Sequence, residues 1–253
     1  MPMLDREGVA IHYEVSGTGP ALLLTHGFAA SAGMFAGVVE PLSVSNTVIT
    51  WDQRGHGRSD YPTDAASYSP ALAVGDIAAL LDAAGVEAAV VGGHSMGGYL
   101  SLEFNLAHPS RTMGLVLIGT GPGFRRDEGR DGWNDYADKI ATSYERRGLA
   151  ALAGSEELDA SAHRDASGLV LAARHVLKQH DARVMESLSS ITVPTLVLVG
   201  ADDAAFLDSS RYMAAKIPGA ELAVIDGAAH APPVSQPAAF SDAVLGFLSR
   251  HGR

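Results

Sequence analysis

Short apolar runs recur along this chain, and stretches with helical spacing separate most of them. The runs are ALLLT (21–25), TVITW (47–51), AVVGG (89–93), GLVLIG (114–119), TLVLVG (195–200) and ELAVID (221–226). Such near-continuous apolarity is what a parallel strand needs when helices cover both of its faces. Between the runs, 70–84 sets Val74, Ile77, Leu80 and Leu81 in one apolar stripe against Leu72, Gly75, Asp76 and Ala79, and Gly85 stops it. Segment 98–107 follows a strand directly and ends at His108-Pro109, while 236–249 reads as a terminal helix. VAIHYEV (9–15) alternates more loosely and runs into Ser-Gly-Thr-Gly-Pro, which suits an antiparallel edge hairpin. Strands alternating with helices predict an α/β fold, a mostly parallel sheet with helices on both faces.

The rhythm breaks between 122 and 190. Residues 131–148 and 167–180 have helical patterns, with a weaker one between them, and no run there reads as a strand. That is more helix than a crossover between parallel strands requires. The expected organisation is therefore a core of 1–121 and 191–253, with 122–190 as a helical cap, or lid, over the carboxyl edge of the sheet.

Composition removes several kinds of chemistry. The chain of 253 residues has no cysteine, so disulfides, thiolate metal sites and cysteine nucleophiles are excluded. Lys+Arg 18 against Asp+Glu 29 leaves a formal charge of −11, which argues against nucleic acid as a partner. The first residues lack the apolar core of a signal peptide, and no apolar run is long enough to span a bilayer. The expectation is a soluble cytoplasmic protein with a small-molecule substrate, no membrane partner, no metal and no cofactor.

The sharpest motif is Gly93-His94-Ser95-Met96-Gly97-Gly98. By itself G-x-S-x-G recurs by chance, and its serine could be no more than a helix N-cap. Here an apolar strand ends at Gly92 and a helical pattern starts at Gly97, which makes the turn a candidate nucleophile elbow. A serine in strained backbone, flanked by glycines that leave room, projects its hydroxyl above the sheet. Serine at its own pKa is a poor nucleophile and needs a base. Of ten histidines, His26 and His94 lie in glycine motifs, His56 in a turn and His108 beside a proline. His163, His175 and His180 fall in the cap segment, and His12 and His251 near the termini. His230 differs, because it lies in a loop after ELAVID, at the sheet's carboxyl edge. An acid that orients this imidazole is expected at a strand end between serine and histidine, where Asp202 and Asp203 follow TLVLVG. His26-Gly27-Phe28 follows ALLLT, so the backbone N–H groups of Phe28 and Met96 can form a two-donor oxyanion hole. The charged stretch Asp52–Ser59 reads as a structural turn held by Asp–Arg bonds.

Together His26-Gly27-Phe28, DQRGHGRS (52–59), GHSMGG (93–98) and the loops at 200–203 and 230 resemble the α/β-hydrolase fold superfamily, in its lipase/esterase-like branch with a helical cap. The likeness runs from about residue 20 to 237 and implies an eight-stranded twisted sheet with the cap inserted after the sixth strand. Similar proteins place the acid three residues after the strand's glycine, which from Gly200 selects Asp203 over Asp202. A proline often follows that acid in the family, whereas Ala204, Ala205, Phe206 and Leu207 stand here. The family's other acid position, after the sixth strand, holds Gly119-Thr120-Gly121 and no carboxylate.

The resemblance implies hydrolysis of carboxylic esters or small lactones by Ser95, His230 and Asp203 through an acyl-enzyme. Alternatives on the same fold are carbon–carbon bond hydrolysis, cofactor-free perhydrolysis or halogenation, and a receptor that keeps a triad without turnover. Candidate pocket residues are Met34, Phe35 and Phe206 from the core, with Trp133, Tyr136 and Tyr144 from the cap. Phe124, Ile140, Leu149 and Leu152 are further apolar cap residues, and Arg125-Arg126 and Arg146-Arg147 would suit an anionic substrate.

Overall fold

The structure, a computed structural model, describes residues 2–153 and 163–251. Its strands are β1 (Met3–Arg6), β2 (Val9–Ser16), β3 (Ala21–Thr25), β4 (Thr47–Trp51), β5 (Ala89–His94), β6 (Thr112–Ile118), β7 (Thr195–Gly200) and β8 (Glu221–Ile225). The helices are α1 (Ala36–Ser43), α2 (Pro70–Ala83), α3 (Met96–Ala107), α4 (Asp127–Arg147), α5 (Ser167–His175), α6 (Arg183–Ser187), α7 (Leu207–Lys216), α8 (Pro232–Ser235) and α9 (Pro237–His251). One eight-stranded sheet runs in the order β1-β2-β4-β3-β5-β6-β7-β8. β2 is antiparallel to both β1 and β4, and every other neighbouring pair is parallel. The edge hairpin closes at Glu7-Gly8, both at positive φ (58° and 84°), the hand that matches strand twist, and not in Ser-Gly-Thr-Gly-Pro (16–20), because β2 pairs with β1 and β4 rather than with β3.

Side chains that alternate across each strand explain the apolar runs. Leu22 and Leu24 of β3, Val90 of β5 and Val116 and Ile118 of β6 meet α1 and α9 through Val38, Leu42, Phe240, Val244 and Phe247. Leu23 and Val91 point the other way, onto Ile77 and Leu80 of α2 and Leu100 and Phe104 of α3. On that second face Leu115, Leu117 and Val197 pack with Val184, Leu188 and Met213, so α6 lies against the sheet. From β3 the chain steps to β4 on one side and later returns to β5 on the other. A crevice therefore opens at the carboxyl ends of β3 and β5, where open α/β sheets bind ligands.

The inserted helices differ from their expected bounds. α4 starts at Asp127 rather than 131; Asp127 and Glu128 sit in its first turn and Arg146 and Arg147 in its last, matching the helix dipole. α5 stops at His175, short of 180, because α4 captures the following backbone. The Trp133 indole N–H donates to Leu177 O at 2.8 Å. The Asn134 amide donates to Gln179 O at 2.9 Å and accepts from Gln179 N at 2.8 Å. Between the two helices, 148–152 forms a tight helical turn, and the rest of the weaker pattern lies largely outside the described residues. No helix among the described residues is long and apolar enough to cross a membrane.

Asp76 departs from the helical-wheel reading. It is fully buried and accepts from Arg54 Nε at 2.7 Å and Nη2 at 2.9 Å, with Arg6 Nε at 3.1 Å. The 52–59 turn is thus tied by an Asp–Arg pair whose acid comes from α2. Asp52 instead accepts the backbone amides of Ala32 (2.7 Å) and Arg58 (3.0 Å). Removing a buried carboxylate leaves its guanidinium partner uncompensated, at a cost of about 3–5 kcal/mol. Asp76→Ala is expected to lose that much in urea unfolding; a loss under about 1 kcal/mol would show that water compensates Arg54.

Candidate active site

Ser95 joins β5 to α3 with φ +51° and ψ −115°, a strained conformation for a residue with a side chain. Its backbone is over-determined. Ser95 N donates to Ile118 O at 2.8 Å, and Ser95 O accepts from Thr120 Oγ1 at 2.7 Å, Gly98 N at 3.0 Å and Tyr99 N at 3.1 Å. The flanking glycines let the helix start against the strands, since a Cβ on Gly97 would fall 2.2 Å from Thr25 O.

Asp203, just past β7, is buried, and its Oδ2 accepts the His230 Nδ1–H bond at 2.8 Å. Its backbone carbonyl accepts from Phe206 N and Leu207 N, which closes the loop without a proline. Asp202 is exposed, so of the two aspartates it is Asp203 that meets the histidine. The Phe206 ring stacks on His230 at 4.8 Å between centroids. His94 Nε2–H donates to the His230 carbonyl at 2.8 Å and anchors the loop from behind. Ser95 and His230 line one cleft; among the described residues no hydrogen bond joins their side chains. Phe28 and Met96 line it too, and a Cβ on Gly27 would sit 3.3 Å from Ser95 Cβ, so the 27–28 peptide runs beside the serine.

His26, His56 and His163 accept backbone amides. Gln53 N donates to His26 Nε2 at 3.0 Å, Ala29 N to His56 Nε2 at 3.2 Å and Gly57 N to His163 Nδ1 at 3.1 Å. His163 Nε2–H also donates to Ala29 O at 2.8 Å, so His56 and His163 together hold Ala29 at φ +59° next to Phe28. An imidazole that accepts a backbone N–H is neutral. Burial pushes His26 down to about 3 and holds His56 and His94 well below the usual 6.5. With folded values below the unfolded one, acidification protonates only the unfolded chain, so stability falls as pH drops below about 6.5. For His26, between pH 7 and pH 5, the loss is expected to be about 2 kcal/mol. Urea midpoints at the two pH values check this, and equal midpoints would contradict neutral burial.

The cleft holds about 650 Å³, within the range of small-molecule sites. Trp133, Tyr136, Ile140 and Tyr144 of α4 line it, as do Phe124 and Phe206. Met34 and Phe35 do not. Ser31 caps a tight turn over 32–35, and this buries both side chains in the layer between sheet and α9, away from the cleft. Leu149 and Leu152 are also absent from its wall, where Ala151 stands. Arg125 and Arg126 border a separate surface groove, as do Arg146 and Arg147, and no charged side chain is among the described lining residues. Sequence reasoning missed Tyr99, Gln179 and Ser209. Tyr99 was findable, because four residues after Ser95 a helix presents the same face. Gln179 carries no local signal.

Residues 20–165 match the family model of the alpha/beta hydrolase fold. The chain is 32% identical over 268 residues to a putative carbamate hydrolase RutD of Azorhizobium caulinodans, covering 98% of each. It is 28% identical over 266 residues to a 3-oxoadipate enol-lactonase of Acinetobacter baylyi, covering 96% of this chain and 95% of that one. A thermophilic esterase structure from Thermogutta terrifontis superposes with a TM-score of 0.82 at 25% identity, over 99% of this chain and 97% of that one. The chain belongs to the α/β hydrolase fold family.

Proposed function

We propose that this protein is a serine hydrolase that cleaves neutral carboxylic esters, small lactones included, through Ser95, His230 and Asp203. The observation that carries the reading is the 2.8 Å Asp203–His230 pair, which opens on the same cleft as a serine held at φ +51°. With Nδ1–H committed to Asp203, the His230 Nε2 lone pair is left for the serine proton. In this reading the Ser95–His230 hydrogen bond forms as substrate is seated. Ser95 Oγ then attacks the carbonyl carbon while His230 takes its proton, and the carbonyl oxygen becomes an oxyanion held by the Phe28 and Met96 amides. His230 passes the proton to the leaving alkoxide, and the acyl-enzyme remains. Water attacks it with His230 again as base, and the acid departs. The described lining carries no charged side chain, which favours a neutral substrate, because a buried charge without a partner is costly. The names of the relatives, a carbamate hydrolase, an enol-lactonase and an esterase, fit attack on an activated carbonyl.

In this reading the helical segment within 122–190 acts as a cap that sets substrate choice, while the sheet supplies the chemistry. Trp133 reaches the cleft from α4, and binding energy from such contacts positions the ester. Trp133→Ala is expected to shift chain-length preference several-fold per methylene, at about 1 kcal/mol per lost contact. Equal loss across an alkanoate ester series would make Trp133 a packing residue only. The experiment for the whole reading is one-site labelling by a fluorophosphonate, with esters, lactones and a diketone assayed on the intact protein and Ser95→Ala. Steady ester turnover excludes a receptor, and cleavage of the diketone alone would replace ester hydrolysis by carbon–carbon cleavage.

A further inference from the structure

We propose that Gln179 is a substrate-recognition residue, whose side-chain amide at the cleft wall donates to a neutral oxygen acceptor on the substrate, apart from the scissile carbonyl. The inference rests on the hydrolase reading above and adds a substrate class to it.

Gln179 is only 8% exposed, yet it lines the cleft that holds Ser95 and His230. Its backbone is pinned on both sides by the Asn134 side chain, at 2.8 and 2.9 Å. Its Oε1 accepts from Phe124 N at 3.2 Å. A backbone N–H only donates, so the atom facing Phe124 is the oxygen and the orientation of the carboxamide follows. The Nε2 amine is then the free end, and it meets no acceptor among the described residues. Gly123, at φ +83°, leaves the space that the carboxamide fills, since a Cβ there would fall 2.8 Å from Oε1. The result is a preoriented donor with both its backbone and its oxygen already committed.

The surrounding wall is apolar, with Phe124, Trp133, Val176 and Leu177. A donor in such a wall is satisfied by water or by a ligand oxygen. The described lining offers no cation, so a carboxylate there would lack a countercharge, and a ketone, ester or lactone carbonyl is the better match. A fixed donor opposite such an oxygen discriminates against the analogue that lacks it.

The test measures kcat/KM for matched ester pairs. On the acyl side these are 4-nitrophenyl hexanoate and 5-oxohexanoate, with the glutarate half-ester as the anionic arm. On the alcohol side they are hexyl and 5-oxohexyl acetate. Within each protein the oxo/alkyl ratio is taken, so that differences in active fraction cancel. Gln179→Glu can still accept from Phe124 N–H but presents an oxygen where the amine stood, and Gln179→Met presents no donor. The expected result is an oxo/alkyl ratio about three- to tenfold higher in the native protein than in both variants, on the acyl or the alcohol arm. Ratios equal in all three proteins on both arms would overturn the proposal, as would a half-ester preferred over the ketone. If no ester is turned over, or Ser95→Ala keeps the activity, the hydrolase reading itself fails. Ser95-dependent turnover with flat ratios removes Gln179 alone.

Discussion

Replacing Ser95 with alanine is expected to lower kcat by about 10⁴- to 10⁶-fold, because the groups of a triad act as a unit and removing one forfeits most of their joint effect. The serine's strained φ of +51° and the four hydrogen bonds on its backbone are spent on presenting one hydroxyl to the cleft. The variant leaves those backbone bonds in place, so unfolding curves should overlay those of the parent while ester turnover and fluorophosphonate labelling vanish together. Retained turnover, or labelling at another residue, would move the nucleophile elsewhere.

Asp203→Asn carries the second largest expected effect, a fall in kcat of about 10⁴-fold. Asp203 Oδ2 accepts the Nδ1–H bond of His230 and so keeps the lone pair on Nε2. An amide at this position can donate to Nδ1 and hold the opposite tautomer, which has no lone pair to offer Ser95. Asp202→Asn is the control. Its side chain is exposed and lies next in sequence, so a charge effect without geometry would appear in both variants. Comparable losses in the two would show that Asp203 acts through charge and not through the tautomer of His230.

How much of this was legible depends on the range of the interaction that decided it. β3, β5, β6 and β7 could be read because each is apolar toward both helical layers, as Leu22 and Leu24 against Leu23 illustrate, whereas β8 at the edge leaves Leu222 and Val224 exposed. β1, only four residues of mixed character at the sheet's edge, left no comparable pattern. Ser95 was legible because strand, turn and helix are adjacent in the chain. The helical spacing sets Asp76 opposite the apolar stripe of 70–84 and leaves its burial illegible, since periodicity cannot register a guanidinium arriving from residue 54. Met34 and Phe35 lie close in sequence to Phe28, yet the capped turn at 32–35 sends them into the opposite layer.

The sequence by itself determined the α/β architecture, the elbow at Ser95 and the strand ends where an acid and a histidine would stand, because these follow from local periodicity and turn chemistry. The tertiary structure brings Asp203, the acid that the family likeness already selects, to 2.8 Å from His230, and it alone decides that His56 and His163 brace Ala29 beside Phe28. It also decided which apolar residues face the cleft and that Gln179 joins them. Each of these depends on contacts between residues far apart in the chain, formed only when separate elements pack, and no local pattern carries that information.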